Sequence, residues 1–132
     1  VWIQPPGVVA RLFNESFQPL AVACRRENLP ATCLVTAARS QTGGIGVLYA
    51  VNWAGQAVTP ELKWTGFPSG EPTITTAVLA AEPNAVNSAA HPEEFSSRAP
   101  RTVLMDENGR RKFTLPPHSF TVLRWSEPTK SP

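Results

Sequence analysis

Apolar residues recur at a spacing of two from Pro19 onward, whereas before Pro19 they recur one and four positions apart. The first period belongs to half-buried strands and the second to an amphipathic helix. Val8, Val9, Leu12 and Phe13 follow Pro5 and Pro6, and proline suits a helix start because its missing N–H falls among donors left unpaired there. The pattern predicts one short helix around residues 6–15. With no second helical segment to pack against, it reads as the tail of something upstream. The expected organisation is therefore a helical stub or linker over 1–18, a β domain over 19–126 and a polar tail over 127–132.

Within the β region, Leu20–Arg25 and Thr32–Ala38 form the first candidate strand pair. Ile45–Trp53 is apolar at nearly every position, as in a central strand covered on both faces. Val58, Pro60, Leu62 and Trp64 alternate with Thr59, Glu61, Lys63 and Thr65. This is a half-buried strand, and Pro60, which cannot donate to a ladder, places it at an edge. Pro72–Ala81 is a further strand. Residues 82–100 carry Pro83, Pro92 and Pro100 and few large apolar residues, which predicts a long surface loop. Arg101–Asp106 and Arg110–Leu115 flank Asn108-Gly109, a strong hairpin signal because both residues tolerate positive φ. Pro116 and Pro117 break the chain before the last strand, His118–Trp125. The fold class implied is all-β: a two-layer antiparallel β-sandwich of jelly-roll type with one short N-terminal helix.

Composition narrows the function classes. The chain has 132 residues, 42% of them hydrophobic and 17% charged, enough for one domain with its own core. No apolar run approaches the roughly 20 residues that span a bilayer, so no membrane partner is expected. The formal net charge is +2. Basic residues cluster only at Arg25–Arg26 and Arg110–Arg111–Lys112, without interleaved aromatics, so no nucleic-acid partner is expected. The chain starts at Val1 with no initiator Met, basic n-region or cleavage site, as a processed product or an excised fragment would.

No catalytic constellation can be assembled, and no catalytic residue is assigned. His91 and His118 lack metal-ligand spacing to the cysteines, so no metal site and no cofactor is expected. There is no serine nucleophile elbow and no glycine-rich phosphate loop. The adjacent acids Glu93–Glu94 and Asp106–Glu107 read as solvated turn residues rather than the paired carboxyls of a glycosidase. If Cys24 and Cys33 flank a hairpin loop they fall opposite each other, within disulfide reach. A bridge there would contribute roughly 2–3 kcal/mol and would suit an exported protein, secreted or periplasmic. The alternative is two small buried thiols in a reducing cytoplasm.

The aromatic residues are the remaining lead, because sugar rings stack their C–H faces on exposed indoles. Trp64 shares a strand face with Leu62 and Val58 and reads as core. Trp53 at a turn, Trp125 at the end of the last strand and Trp2 ahead of the helix are the candidate carbohydrate-binding residues. Packing inside the domain or against a neighbour is the alternative for all of them.

Three segments together resemble the C-terminal region of family 51 glycoside hydrolases, the α-L-arabinofuranosidases. Gly46-Val47-Leu48-Tyr49-Ala50-Val51-Asn52-Trp53-Ala54-Gly55 is similar to the family's strand ending in Val-Asn before a small-residue turn. Asn87-Ser88-Ala89-Ala90-His91-Pro92-Glu93 resembles its Asn-[Ser/Thr]-Phe-x-Asn-Pro-Glu loop, with Ala89 and His91 departing from the pattern. Leu115-Pro116-Pro117-His118-Ser119-Phe120-Thr121-Val122-Leu123 is close to its closing Leu-Pro-Pro-x-Ser-x-Thr-Val-Leu strand. Val8–Phe13 resembles the last helix leaving the family's barrel.

The resemblance implies a jelly-roll accessory domain following a (β/α)8 barrel that carries both catalytic glutamates. It implies an enzyme context of arabinofuranosyl removal from hemicellulose such as arabinoxylan, with the barrel of the same parent chain as partner. Two other readings stand beside it. One is an autonomous carbohydrate-binding module for xylan or arabinoxylan oligosaccharides, and the other is an unrelated adhesion-type sandwich.

Overall fold

Proline at the start and a serine at the end delimit the helix expected near the N-terminus. In the computed structural model, which describes residues 5–65, 73–80, 88–90, 101–103 and 110–126, helix α1 spans Pro5–Ser16. It has no acidic residue in its first turn and no basic residue in its last, so its ends draw no help from the helix dipole. The Ser16 hydroxyl donates to the Leu12 carbonyl at 2.6 Å, and Pro19 follows two residues after Phe17. Packing supplies the rest. Val8 and Leu12, one helical turn apart, are buried against Val47, Tyr49, Leu79 and Val122 of the sheet. The helix therefore needs no second helix: it covers one face of the β domain and belongs to that domain's core.

Among the described residues eight strands follow: β1 (Leu20–Val22), β2 (Cys33–Arg39), β3 (Ile45–Asn52), β4 (Glu61–Lys63), β5 (Thr73–Ala80), β6 (Arg101–Val103), β7 (Arg110–Lys112) and β8 (Ser119–Ser126). They make a six-stranded sheet in the order β1-β2-β3-β8-β5-β6 and a two-stranded ribbon, β4-β7. Each strand pairing is antiparallel. The all-β sandwich expected from the sequence is thus present, with layers of unequal size.

The turn joining β2 to β3 is closed by Ser40, whose backbone N–H donates to the Ile45 carbonyl at 2.8 Å. Its hydroxyl accepts from the Ile45 N–H at 3.1 Å. Gly43 occupies the left-handed region there, at φ 81°, where a side chain would be strained.

The sheet is buried on both faces. Toward the ribbon lie Cys33, Ala37, Leu48, Ala50, Ile74, Leu123 and Trp125, closed over by Leu115, with Val58, Leu62, Trp64 and Phe113 packed against them. Toward α1 lie Val47, Tyr49, Leu79 and Val122. β3 contributes to both cores, which explains why its sequence reads apolar throughout. Fully buried side chains such as Leu79, Leu115 and Val47 each contribute roughly 1.5–3 kcal/mol of transfer free energy.

Among the described residues, one expected pairing is not seen. Arg101–Asp106 and Arg110–Leu115 were to form a hairpin about Asn108-Gly109, two residues that lie outside the described ones. Instead β6 pairs with β5 and β7 pairs with β4, so the chain crosses from the sheet to the ribbon between them. The Val58–Leu115 bridge extends the ribbon beyond its regular strands.

Candidate functional site

One end of the large sheet gathers the features left over from the core. There β2 begins at Cys33, β3 ends at Asn52 and β8 begins at Ser119, and these three residues are aligned across the strands. The segments leaving those positions form a rim that carries Arg26, Trp53, Gly55 and His118.

Asn52 builds the rim. Its side chain is fully buried, and its Nδ2 donates to the carbonyls of Gln56 (2.9 Å), Pro116 (3.0 Å) and Leu115 (3.3 Å). Its Oδ1 accepts from the Ala54 N–H at 3.1 Å, an Asx-type turn that an asparagine makes with backbone two residues on. One amide thus ties the turn after β3 to the segment before β8. Two backbone bonds add to this: Trp53 N–H to the Thr32 carbonyl and His118 N–H to the Ala54 carbonyl, both 3.1 Å.

His118 sits in the left-handed region at φ 47°, after Pro117, in a turn that would ordinarily take glycine at that place. The Ser119 hydroxyl donates to the Pro116 carbonyl at 2.7 Å, bracing the turn. A methyl group on Gly55 would stand 3.8 Å from His118 Nε2, so the imidazole lies over that glycine. On the other side of the rim, Arg26 Nη2 donates to the Cys33 carbonyl at 2.7 Å.

The tryptophans separate by environment. Trp53 is 49% exposed on the rim. Trp125 is not a surface platform: it is 4% exposed and meets Trp64 edge-on, with ring centroids 3.8 Å apart at 61°. Its parity explains this, because Trp125 lies two and four residues after the buried Leu123 and Thr121 and so faces the ribbon-side core. Trp64 packs in that same core, as its strand pattern predicts. Trp2 lies outside the described residues.

Cys24 and Cys33 are free thiols, the first exposed and the second fully buried. The expected opposition fails on register. β1 and β2 align Leu20 with Arg39 and Val22 with Ala37, and the same register continued would set Cys24 opposite Val35 and Cys33 opposite Arg26. The Cys24 thiol faces the Val22 carbonyl at 3.8 Å, and desolvation of its sulfur pushes its pKa above the ordinary value.

The described carboxylates, Glu15, Glu27 and Glu61, form separate ion pairs with Arg11, Arg25 and Arg110. Such exposed pairs contribute little to stability. Among the described residues no three potential ligands cluster to hold a metal, and no helix is long and apolar enough to cross a membrane. His91, Glu93–Glu94 and Asp106–Glu107 lie outside the described residues.

Sequence reasoning took Trp53 as a site candidate and Asn52 only as the end of a strand, although an asparagine ending an apolar strand before a small-residue turn is a signal for an Asx turn.

No protein-family model and no curated protein sequence matches the chain. Solved structures do. An arabinose-bound family 51 α-L-arabinofuranosidase matches over 95% of this chain with a TM-score of 0.77 and 16% identity. The Thermotoga maritima α-L-arabinofuranosidase in its arabinose complex matches over 73% of this chain, with a TM-score of 0.62 and 18% identity. A Paenibacillus polymyxa xyloglucanase of family 44 matches over 73%, at 0.53 and 14%. The match takes in only 20%, 19% and 17% of those chains respectively. At such identities the likeness establishes the fold, and this chain has the fold of a part about one fifth the length of several glycoside hydrolases.

Proposed function

We propose that this chain is a non-catalytic accessory domain of a hemicellulose-degrading enzyme resembling α-L-arabinofuranosidases, packed on a catalytic (β/α)8 barrel of the same parent chain. The observation that carries the reading is the match over 95% of this chain to 20% of an arabinofuranosidase chain. A fold that recurs as a minor part of larger hydrolases suits a supporting role. In this reading α1 is the entry from the barrel and is docked on the sheet.

Surface chemistry supports a protein neighbour. Phe13 and Phe17 on α1 are 42% and 58% exposed, with ring centroids 6.1 Å apart. Leu34, on a β2 position that faces the same side of the sheet, is 49% exposed. Exposed apolar side chains gathered on one side mark surfaces that partners cover.

The test is complementation. The barrel segment of the parent reading frame is expressed with and without this chain, and arabinofuranosidase activity is followed on a chromogenic arabinofuranoside. The expected result is an inactive isolated chain and a barrel whose stability or activity rises when the chain is supplied. A parent frame with no barrel, or hydrolysis by the chain alone, would overturn the reading.

A further inference from the structure

We propose that the rim around Trp53 is a shallow binding subsite for a neutral sugar ring, with the indole as platform and His118 as its polar partner. Among the described tryptophans, Trp53 alone stands exposed, since Trp64 and Trp125 are taken up by the ribbon-side core. An indole face is electron-rich, and the C–H bonds on one face of a pyranose or furanose carry partial positive charge, so the two attract when stacked.

Rigidity distinguishes this residue from the exposed phenylalanines. The turn bearing Trp53 is fixed on both sides by the buried Asn52 amide, and the Trp53 N–H itself is bound to the Thr32 carbonyl. A platform held in advance loses little freedom on binding, which matters most for a weak, stacking-driven ligand.

The second observation is His118. A histidine held at φ 47°, where glycine would be at ease, stores strain of a kind that clusters at functional positions. The fold tolerates it with its imidazole over Gly55, where ring nitrogens can exchange hydrogen bonds with sugar hydroxyls. Polar groups share the rim with Trp53: its N–H binds the Thr32 carbonyl, its turn carries Gln56, and the His118 N–H binds the Ala54 carbonyl of that turn. Leu34, aligned with Val51 on the same face of the sheet, is the exposed apolar residue on that side, and Phe13 and Phe17 lie on α1.

The choice of probes rests on the accessory-domain reading, though the site itself does not. Calorimetry and indole N–H NMR on the whole chain, titrated with arabinohexaose, xylohexaose and cellohexaose, test it. At least one hexaose is expected to shift the Trp53 indole resonance. Trp53→Ala is expected to weaken that binding about tenfold or more, a loss of ~1.4 kcal/mol or more, and Phe17→Ala to leave it unchanged. His118→Gly, which suits the turn and keeps the fold, is expected to weaken it several-fold.

The proposal is overturned if no hexaose moves the Trp53 resonance, or if Trp53→Ala binds as the parent does. It also falls if Trp53→Ala breaks association with the barrel while sugar binding stays intact. Association with the barrel without sugar binding would remove this subsite and leave the accessory reading standing. Sugar binding through Trp53 with no barrel association would do the reverse.

Discussion

The indole of Trp125 covers the backbone of Gly46, its aligned partner on the neighbouring strand, so closely that a Cβ at position 46 would overlap Cζ2 and Cε2 of the ring. Glycine in the middle of a strand usually weakens it; here the missing side chain is the space that Trp125 fills before it meets Trp64. Gly46→Ala must displace the indole or bend β3. The expected loss is about 3 kcal/mol, at the upper end for overpacking, read as a lower urea midpoint and an altered near-ultraviolet tryptophan signal. A loss below about 1 kcal/mol would show that the ring has room to move.

Asn52 presents a different kind of dependence. Removing its amide takes the donor from the Gln56 carbonyl and the acceptor from the Ala54 N–H, while the Leu115 and Pro116 carbonyls keep the Val58 N–H and the Ser119 hydroxyl. A buried group stripped of its partner costs ~1–3 kcal/mol, so Asn52→Ala is expected to lose about 3 kcal/mol. Asn52→Asp keeps the size but turns acceptor oxygens toward acceptor oxygens, and is expected to fare no better. Chemical denaturation of both variants checks this. Near-parental stability in the aspartate variant would mean that the carbonyls are satisfied in another way.

Much of this architecture was legible as local pattern, and the misses share a cause. Period-two alternation located the strands, and the unbroken apolar run of β3 correctly announced a strand buried on both faces. Asn108-Gly109, outside the described residues, signals only that the chain reverses. Which sheet each flanking segment joins depends on partners far away in sequence, β5 for β6 and β4 for β7. Trp53 follows the last residue of β3 and Trp125 is the last but one of β8, and face parity separates them: Trp125 follows Leu123 and Thr121 on one face, and Gly46 opposite was the unread sign of a close approach. The Cys24–Cys33 pairing failed because small residues such as Ala21, Ala23, Ala37 and Ala38 impose little register.

That register has a chemical consequence. Cys33 is fully buried and Cys24 is exposed, with its sulfur sheltered enough to raise the thiol pKa. Mild oxidation of dilute native protein should therefore leave both thiols in the monomer, as mass spectrometry of alkylated peptides would show. Cys24 is expected to alkylate first, and Cys33 only on unfolding. Because the thiolate is the reactive form, the raised pKa moves the rise of the Cys24 alkylation rate to higher pH than in a free cysteine peptide. An intramolecular disulfide in the native monomer would contradict the observed register.

Thr121 offers a stabilising change. It is 1% exposed, it lies between Ala50 and Val78 on the strands either side, and its hydroxyl has no hydrogen-bond partner. Burying a hydroxyl without compensation costs ~1–3 kcal/mol in proteins. Thr121→Val keeps the branched shape suited to a strand and removes the orphan group, so a gain of about 1 kcal/mol is expected, seen as a higher thermal midpoint. A loss of stability would reveal a partner for the hydroxyl in solution.

The standing of α1 can be decided with two truncations one helical turn or so apart. Leu12 is 8% exposed and packs with Val8 on Val47, Tyr49, Leu79 and Val122. The Ser16 hydroxyl, held by the Leu12 carbonyl, also lies 3.1 Å from the Tyr49 hydroxyl and ties the end of the helix to β3. Leu12→Ala is expected to lose about 2–3 kcal/mol, the lower part of the range for a buried leucine. Phe17, 58% exposed beyond the end of the helix, should change stability in the isolated chain by no more than about 0.5 kcal/mol when cut to alanine. Denaturant unfolding of the two variants separates the possibilities. If α1 were only a linker from an upstream domain, both substitutions would be silent. A large effect at Leu12 with none at Phe17 makes the helix part of the sandwich's own core and leaves the phenylalanine free for a neighbour. In that case the same Phe17→Ala change, silent in the isolated chain, should weaken association with the barrel.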